Sequence, residues 1–126
     1  MPAALHHLAL GARDVAALAA FYRDAVGLPE VARHFHESGG ALRSVWLRLG
    51  GGILMVEEAL EERDPVRGQA PGWFLVALAA PEPERAAIRE RLARAGTAAE
   101  SATAWTEYFR DPEGNRFALS AYPLPE

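Results

Sequence analysis

The sequence contains neither cysteine nor lysine. Without thiols there are no disulfides, no thiolate nucleophile and no cysteine-ligated metal site. Its 13 cationic residues are all arginines, scattered and outnumbered by 17 acidic ones, for a formal charge of −4. No basic tract marks a nucleic-acid partner. No apolar run reaches the length of about 18 residues that a membrane span needs. The opening stretch MPAALHHLALGARD lacks the basic start and the longer apolar core of a secretory leader, so a cytoplasmic location is expected by elimination. What remains is a chain of 126 residues, 50% hydrophobic and 24% charged, the balance of one globular domain over residues 1–126. A chain this short buries roughly 65% of its potential surface, enough for a core without covalent staples.

Alternation and punctuation lay out the elements. Leu8 and Leu10 share one strand face while His7 and Ala9 take the other. Asp14 is placed to cap a helix that runs to about Ala25, with Val15, Leu18, Ala19, Phe21 and Tyr22 on its apolar side and Gly27 as its stop. Extended segments follow over about Glu30 to Glu37, Ala41 to Leu49 and Ile53 to Glu57, separated by a turn at Ser38-Gly39-Gly40 and by Gly50-Gly51-Gly52. Residues 59–72 are polar and punctuated by Pro65, Gly68, Pro71 and Gly72, the composition of a linker. The plan then repeats. A strand over Trp73 to Ala80 precedes a helix from Pro83 or Glu84 to near Gly96, with Ile88 and Leu92 on its buried stripe. A weak strand at Thr97 to Ala102, an aromatic one at Trp105 to Phe109, the turn Asp111-Pro112-Glu113-Gly114-Asn115 and a last strand at Arg116 to Tyr122 complete it.

The repeat extends to the residues. His7-Leu8-Ala9-Leu10 matches Leu75-Val76-Ala77-Leu78, and Ile53-Leu54-Met55-Val56 matches Arg116-Phe117-Ala118-Leu119, at offsets of 68 and 63 residues. The expected fold is therefore α+β: two βαβββ modules, residues 4–58 and 73–122, forming a curved mixed sheet with a concave pocket and the helices on its outer face. Parity sends Leu8, Leu10, Leu54, Val56, Val76, Leu78, Phe117 and Leu119 under the helices. It sends His7, Ala9, Ile53, Met55, Glu57, Leu75, Ala77, Arg116, Ala118 and Ser120 to the pocket side, joined by Trp46 and Arg48.

Three segments, His7 to Leu10, Phe21 to Leu28 and Tyr108 to Asn115, resemble the vicinal oxygen chelate superfamily, which includes glyoxalase I, extradiol dioxygenases, fosfomycin-modifying enzymes and bleomycin-resistance proteins. The resemblance covers about residues 4 to 122 and implies a homodimer with pockets formed partly at subunit contacts. In metal-dependent members four pocket positions hold the ligands; carried over, they fall on His7, Met55, Leu75 and Ala118. Only His7 keeps a usual ligand type, although Glu57 lies two residues beyond Met55 on the same face. Catalytic zinc takes three protein ligands and hard cations take several oxygens, so no metal and no other cofactor is expected. His34 and His36 share a strand face but belong to a strand expected to lie away from the first.

The binding candidates are His7, Trp46, Arg48, Met55, Glu57, Leu75, Trp105, Tyr108, Arg116 and Ala118. The aromatic residues suit planar or apolar ligands, and Arg48 and Arg116 can clamp a carboxylate or phosphate or instead pair with Glu57. The expected function is metal-independent binding of an apolar, aromatic or cationic small molecule, as in resistance proteins that sequester drugs. Two alternatives stand beside it: a metal-dependent lyase, isomerase or dioxygenase of the glyoxalase type, and a metal-free enzyme with His7 or Glu57 as general base.

Overall fold

The structure, a computed structural model, describes residues 2–37 and 39–125, so Ser38 of the expected first turn lies outside the described residues. The chain divides into two compact units, Met1–Arg63 and Asp64–Glu126, with the boundary inside the expected linker.

In the first unit, strand β1 (His7–Ala12) leads to helix α1 (Val15–Ala20), a further segment wound as a π-helix (Phe21–Val26), and strands β2 (Glu30–Phe35), β3 (Leu42–Leu49) and β4 (Gly52–Glu58). The sheet runs in the order β1-β4-β3-β2, with β1 parallel to β4 and the other pairs antiparallel. Asp14 caps α1, its Oδ1 accepting from the Ala17 backbone N–H at 3.0 Å. The helix stops where Gly27 turns left-handed at φ 96°. There the N–H groups of Gly27 and Leu28 both donate to the Tyr22 carbonyl, at 3.0 and 2.9 Å, and this widened closure accompanies the looser winding that sequence periodicity does not show. Gly52 is required for a different reason: a Cβ there would stand 2.9 Å from the His6 carbonyl oxygen, where β1 comes alongside β4.

The second unit has the same plan: β5 (Val76–Ala79), α2 (Glu82–Arg94), β6 (Ser101–Ala102), β7 (Thr106–Arg110) and β8 (Arg116–Ser120), in the order β5-β8-β7-β6. β5 is shorter than the alternation suggests, because its ladder with β8 starts at Val76 opposite Phe117. Trp73 precedes that ladder and is 93% exposed. The Asp111-to-Asn115 turn closes as expected, with Gly114 at φ 89°. Asp111 Oδ1 accepts from the backbone N–H groups of Glu113 and Asn115, both at 2.9 Å, and the Asn115 side-chain amide donates to the same carboxylate.

The helix-side parity holds in both units. Leu54, Val56, Leu78, Phe117 and Leu119 are buried, and Leu8, Leu10 and Val76 are half-buried. Val45 and Leu47 join them on β3. Among the described residues no helix is long and apolar enough to cross a membrane.

Candidate functional site

The face of the first sheet opposite α1 is a grid set by strand register. Its rows read His7–Ile53–Arg48, Ala9–Met55–Trp46–Ala32 and Gly11–Glu57–Ser44–His34. Neighbouring strands lie about 4.8 Å apart, and successive rows are two residues apart along the strand.

The last two rows form a cluster. His34 Nδ1 is 3.0 Å from Ser44 Oγ, and its ring centroid is 4.7 Å from that of Trp46. Ser44 is buried, and Met55, Trp46 and Glu57 are half-buried. Two polar atoms in the cluster are buried with no hydrogen-bond partner: Glu57 Oε2 and Trp46 Nε1. An unmet buried donor or acceptor is destabilising by about 1–3 kcal/mol, and by more when it is charged. Glu57 sits one row from Trp46 on the neighbouring strand, within reach of the diagonal contacts that long side chains make across a sheet. Among the described residues Glu57 takes up neither of the alternative pairings, with Arg48 or with Arg116; Arg48 is exposed at the opposite end of the grid.

His7 is elsewhere. It is exposed and two rows from Glu57, about 13 Å along the strand. Its Nδ1 lies 2.9 Å from His6 Nδ1, one imidazole donating and the other accepting. Alternation alone would send His6 the other way, but β1 begins at His7, so His6 is not bound by the pleat. His36 is occupied by Glu58, with Nε2 and Oε2 2.6 Å apart. β2, which carries His34, is the sheet edge opposite β1.

On the second sheet the corresponding rows are Ala79–Ser120–Thr106, Ala77–Ala118–Tyr108–Ser101 and Arg116–Arg110. Ala118 is fully buried and Leu75 is half-buried just before β5. The Arg116 guanidinium carbon lies 4.5 Å from the Phe74 ring centroid and 4.7 Å from that of Tyr108. Ser120 and Thr106 share a hydroxyl hydrogen bond of 2.7 Å. Trp105 is 47% exposed and packs edge-on against Tyr122 at 6.0 Å.

Sequence reasoning missed two of these residues. Ser44 has the same parity as Trp46, and that signal was available. Phe74 falls on the helix-side parity of the expected strand, but it precedes β5 and is free of that alternation.

The donors do not suit a hard divalent ion. Of His7, Met55, Leu75 and Ala118, one offers an imidazole, one a soft thioether, and two have no lone pair to give. Among the described residues no three His, Asp or Glu side chains gather as a metal-holding group.

Two repeated modules in β1-β4-β3-β2 order, a helix on one face of each sheet and chemistry-bearing residues on the other define the class of the protein. The chain belongs to the glyoxalase-like domain family, whose model matches residues 7–120, and with it to the vicinal oxygen chelate superfamily. Among solved structures it is similar to a lactoylglutathione lyase from Agrobacterium tumefaciens, at 25% identity and a TM-score of 0.67, covering 94% of this chain and 93% of that one. It is also similar to the fosfomycin resistance protein FosX from Mesorhizobium loti, at 16% identity and a TM-score of 0.78, covering 98% and 95%. A glyoxylase/bleomycin resistance protein/dioxygenase domain from Frankia sp. EAN1pec matches at 17% identity and a TM-score of 0.72, covering 95% and 98%. These last two likenesses are of fold. No curated protein sequence matches the chain.

Proposed function

We propose that the protein binds a small molecule without a metal ion, on the first module's sheet face, with Trp46 and Met55 as the apolar floor and Glu57 as the polar anchor. The observation that carries this reading is the pair of unmet polar atoms, Glu57 Oε2 and Trp46 Nε1, in adjoining rows. A carboxylate calls for a cation or a hydrogen-bond donor, and an indole N–H calls for an acceptor. The matching ligand is flat, carries a cationic or N–H group at one end and has an acceptor beside it. The His34–Ser44 hydrogen bond stiffens the far side of the cluster.

Benzamidine, a planar aromatic cation, is a direct probe. Titrated into the full chain and followed by tryptophan fluorescence, it is expected to bind saturably, and Glu57→Gln is expected to weaken it at least about tenfold, the scale of one charge-assisted hydrogen bond. Equal affinity in the two proteins would reject the assignment. An unpaired carboxylate is also a competent general base, and this observation favours Glu57 over His7 for the metal-free enzyme. Once a ligand is known, turnover that disappears in Glu57→Gln while binding persists would select that second reading. We further propose a homodimer, supported by the superfamily resemblance and by the exposed Val31 and Phe35 on edge strand β2. A mass of one chain by light scattering would contradict it.

A further inference from the structure

We infer that Arg116 is the anchor of a second site, one that takes a planar carboxylate. Arg116 opens β8, the strand flanked by β5 and β7. One aromatic ring reaches it from each flank: Phe74 from the segment leading into β5, and Tyr108 from β7. A ring face offers a guanidinium no lone-pair acceptor, so its N–H groups still call for hydrogen-bond partners. Among the described residues no carboxylate, carbonyl or hydroxyl accepts from Arg116.

Its neighbour shows the usual outcome. Arg110, paired with Arg116 in the β7–β8 register, sends Nε to both oxygens of Glu100 at 2.9 and 3.1 Å and Nη1 to the carbonyls of Gly114 and Val66. Arg23, Arg33 and Arg89 each end on a carboxylate too. With 17 acidic residues for 13 arginines, the chain does not lack partners to give Arg116. Of the residues beside it in the next row, both of them small, Ala77 is exposed and Ala118 is covered.

The site therefore combines an unpaired planar cation, two aromatic walls and small neighbours. An in-plane guanidinium edge matches the two oxygens of a carboxylate, and aromatic walls favour a flat body attached to it. The ligand class is an aromatic or otherwise planar carboxylate, chemistry opposite in sign to that at Glu57.

Benzoate and its neutral isostere benzamide test this by calorimetric titration of the full chain at neutral pH. Saturable benzoate binding is expected, with benzamide at least about tenfold weaker. Arg116→Met is expected to weaken benzoate at least about tenfold, and Arg116→Lys, which keeps the charge but loses the planar fork, to fall between the two. Lysine also keeps the assignment testable if the methionine variant does not fold. No saturable benzoate binding, equal affinity for benzamide, or benzoate affinity unchanged in either arginine variant would overturn it. The Glu57→Gln variant is expected to keep its benzoate affinity, so this result stands or falls apart from the benzamidine result.

Discussion

The two modules share one strand order yet attach their helices by different physics. In the first, α1 and its π-helical continuation bury Val15, Leu18, Ala19, Phe21, Tyr22, Ala25 and Val26, facing Val45, Leu47, Leu54 and Val56. Dispersion and removal of apolar surface from water supply the adhesion. In the second, α2 buries only Arg85 and Leu92. Beside the buried Leu92, its hold on the sheet passes through charges. Arg89 Nε donates to Glu107 of β7 at 2.8 Å, Arg85 Nε stands 3.7 Å from the same carboxylate, and Arg85 Nη2 donates to Glu82 at 2.6 Å. Glu107 and Arg85 are themselves buried. The hydrogen bond from Arg89 to Glu107 holds that guanidinium above its ordinary pKa. Arg85 Nε and Nη1 nevertheless lack hydrogen-bond partners. One backbone plan thus tolerates an apolar or an ionic helix seam, but the ionic seam leaves donors unmet.

Breaking the ionic seam from one side should have the largest effect. Glu107→Leu removes the buried carboxylate that Arg85 and Arg89 share, leaving both with Glu82 alone, and is expected to destabilise the second module by about 3–5 kcal/mol. The double change Glu107→Leu with Arg85→Met makes this seam apolar like the first. It is expected to recover most of that loss, since well-packed apolar replacements of buried ion pairs are often neutral or better. Urea unfolding of the single and double variants measures both. Failure of the second change to restore stability would show that the charges hold the helix in a way apolar packing cannot.

The apolar seam should respond next. Leu18 has no exposed surface, and Leu18→Ala is expected to destabilise by about 2–5 kcal/mol through lost burial and the remaining cavity. No second substitution at a charged site should rescue it. A loss below about 1 kcal/mol in denaturant melts would mean the seam collapses around the gap.

The smallest effect distinguishes the modules by pH. On the first module's surface, hydrogen bonds from Arg33 and then Arg23 hold the Glu30 carboxyl below its ordinary value of 4.5. A carboxyl lowered by folding lends stability above its unfolded pKa, and that contribution fades as pH falls through the folded value. Wild-type stability should therefore drop as pH falls below about 4.5, and Glu30→Gln should lose part of that slope. Identical acid profiles for the two proteins would show that the pair contributes nothing measurable, as is common for exposed ion pairs.

Much of the frame was legible from local chemistry. Asp14 has the side chain a helix start needs, Gly27 and Gly114 tolerate the left-handed backbone, and Leu8, Leu10, Leu54 and Val56 alternate as one buried sheet face must. Element ends were less legible where they depend on a partner strand. Trp73 to Leu75 alternate like a strand, but the β8 ladder begins opposite Val76. Likewise the expected Thr97-to-Ala102 strand shrinks to Ser101–Ala102, since the Thr97 N–H closes α2 on the Leu92 carbonyl instead. Of the binding candidates, Trp46, Met55 and Glu57 share adjoining rows of one face, while His7 turns to His6 and Trp105 to Tyr122.

By itself the sequence determined the repeated βαβββ plan and the parity of its faces, because caps, turns and alternation act over a few residues. Only the tertiary structure decided which charges are spent. Arg85 and Glu107 were hidden in a seam, Arg110 was neutralised while Arg116 was left between two rings, and one oxygen of the half-buried Glu57 carboxylate was left without a partner. Those outcomes depend on which strand lies beside which, and pairing between distant segments leaves no period in the chain to read.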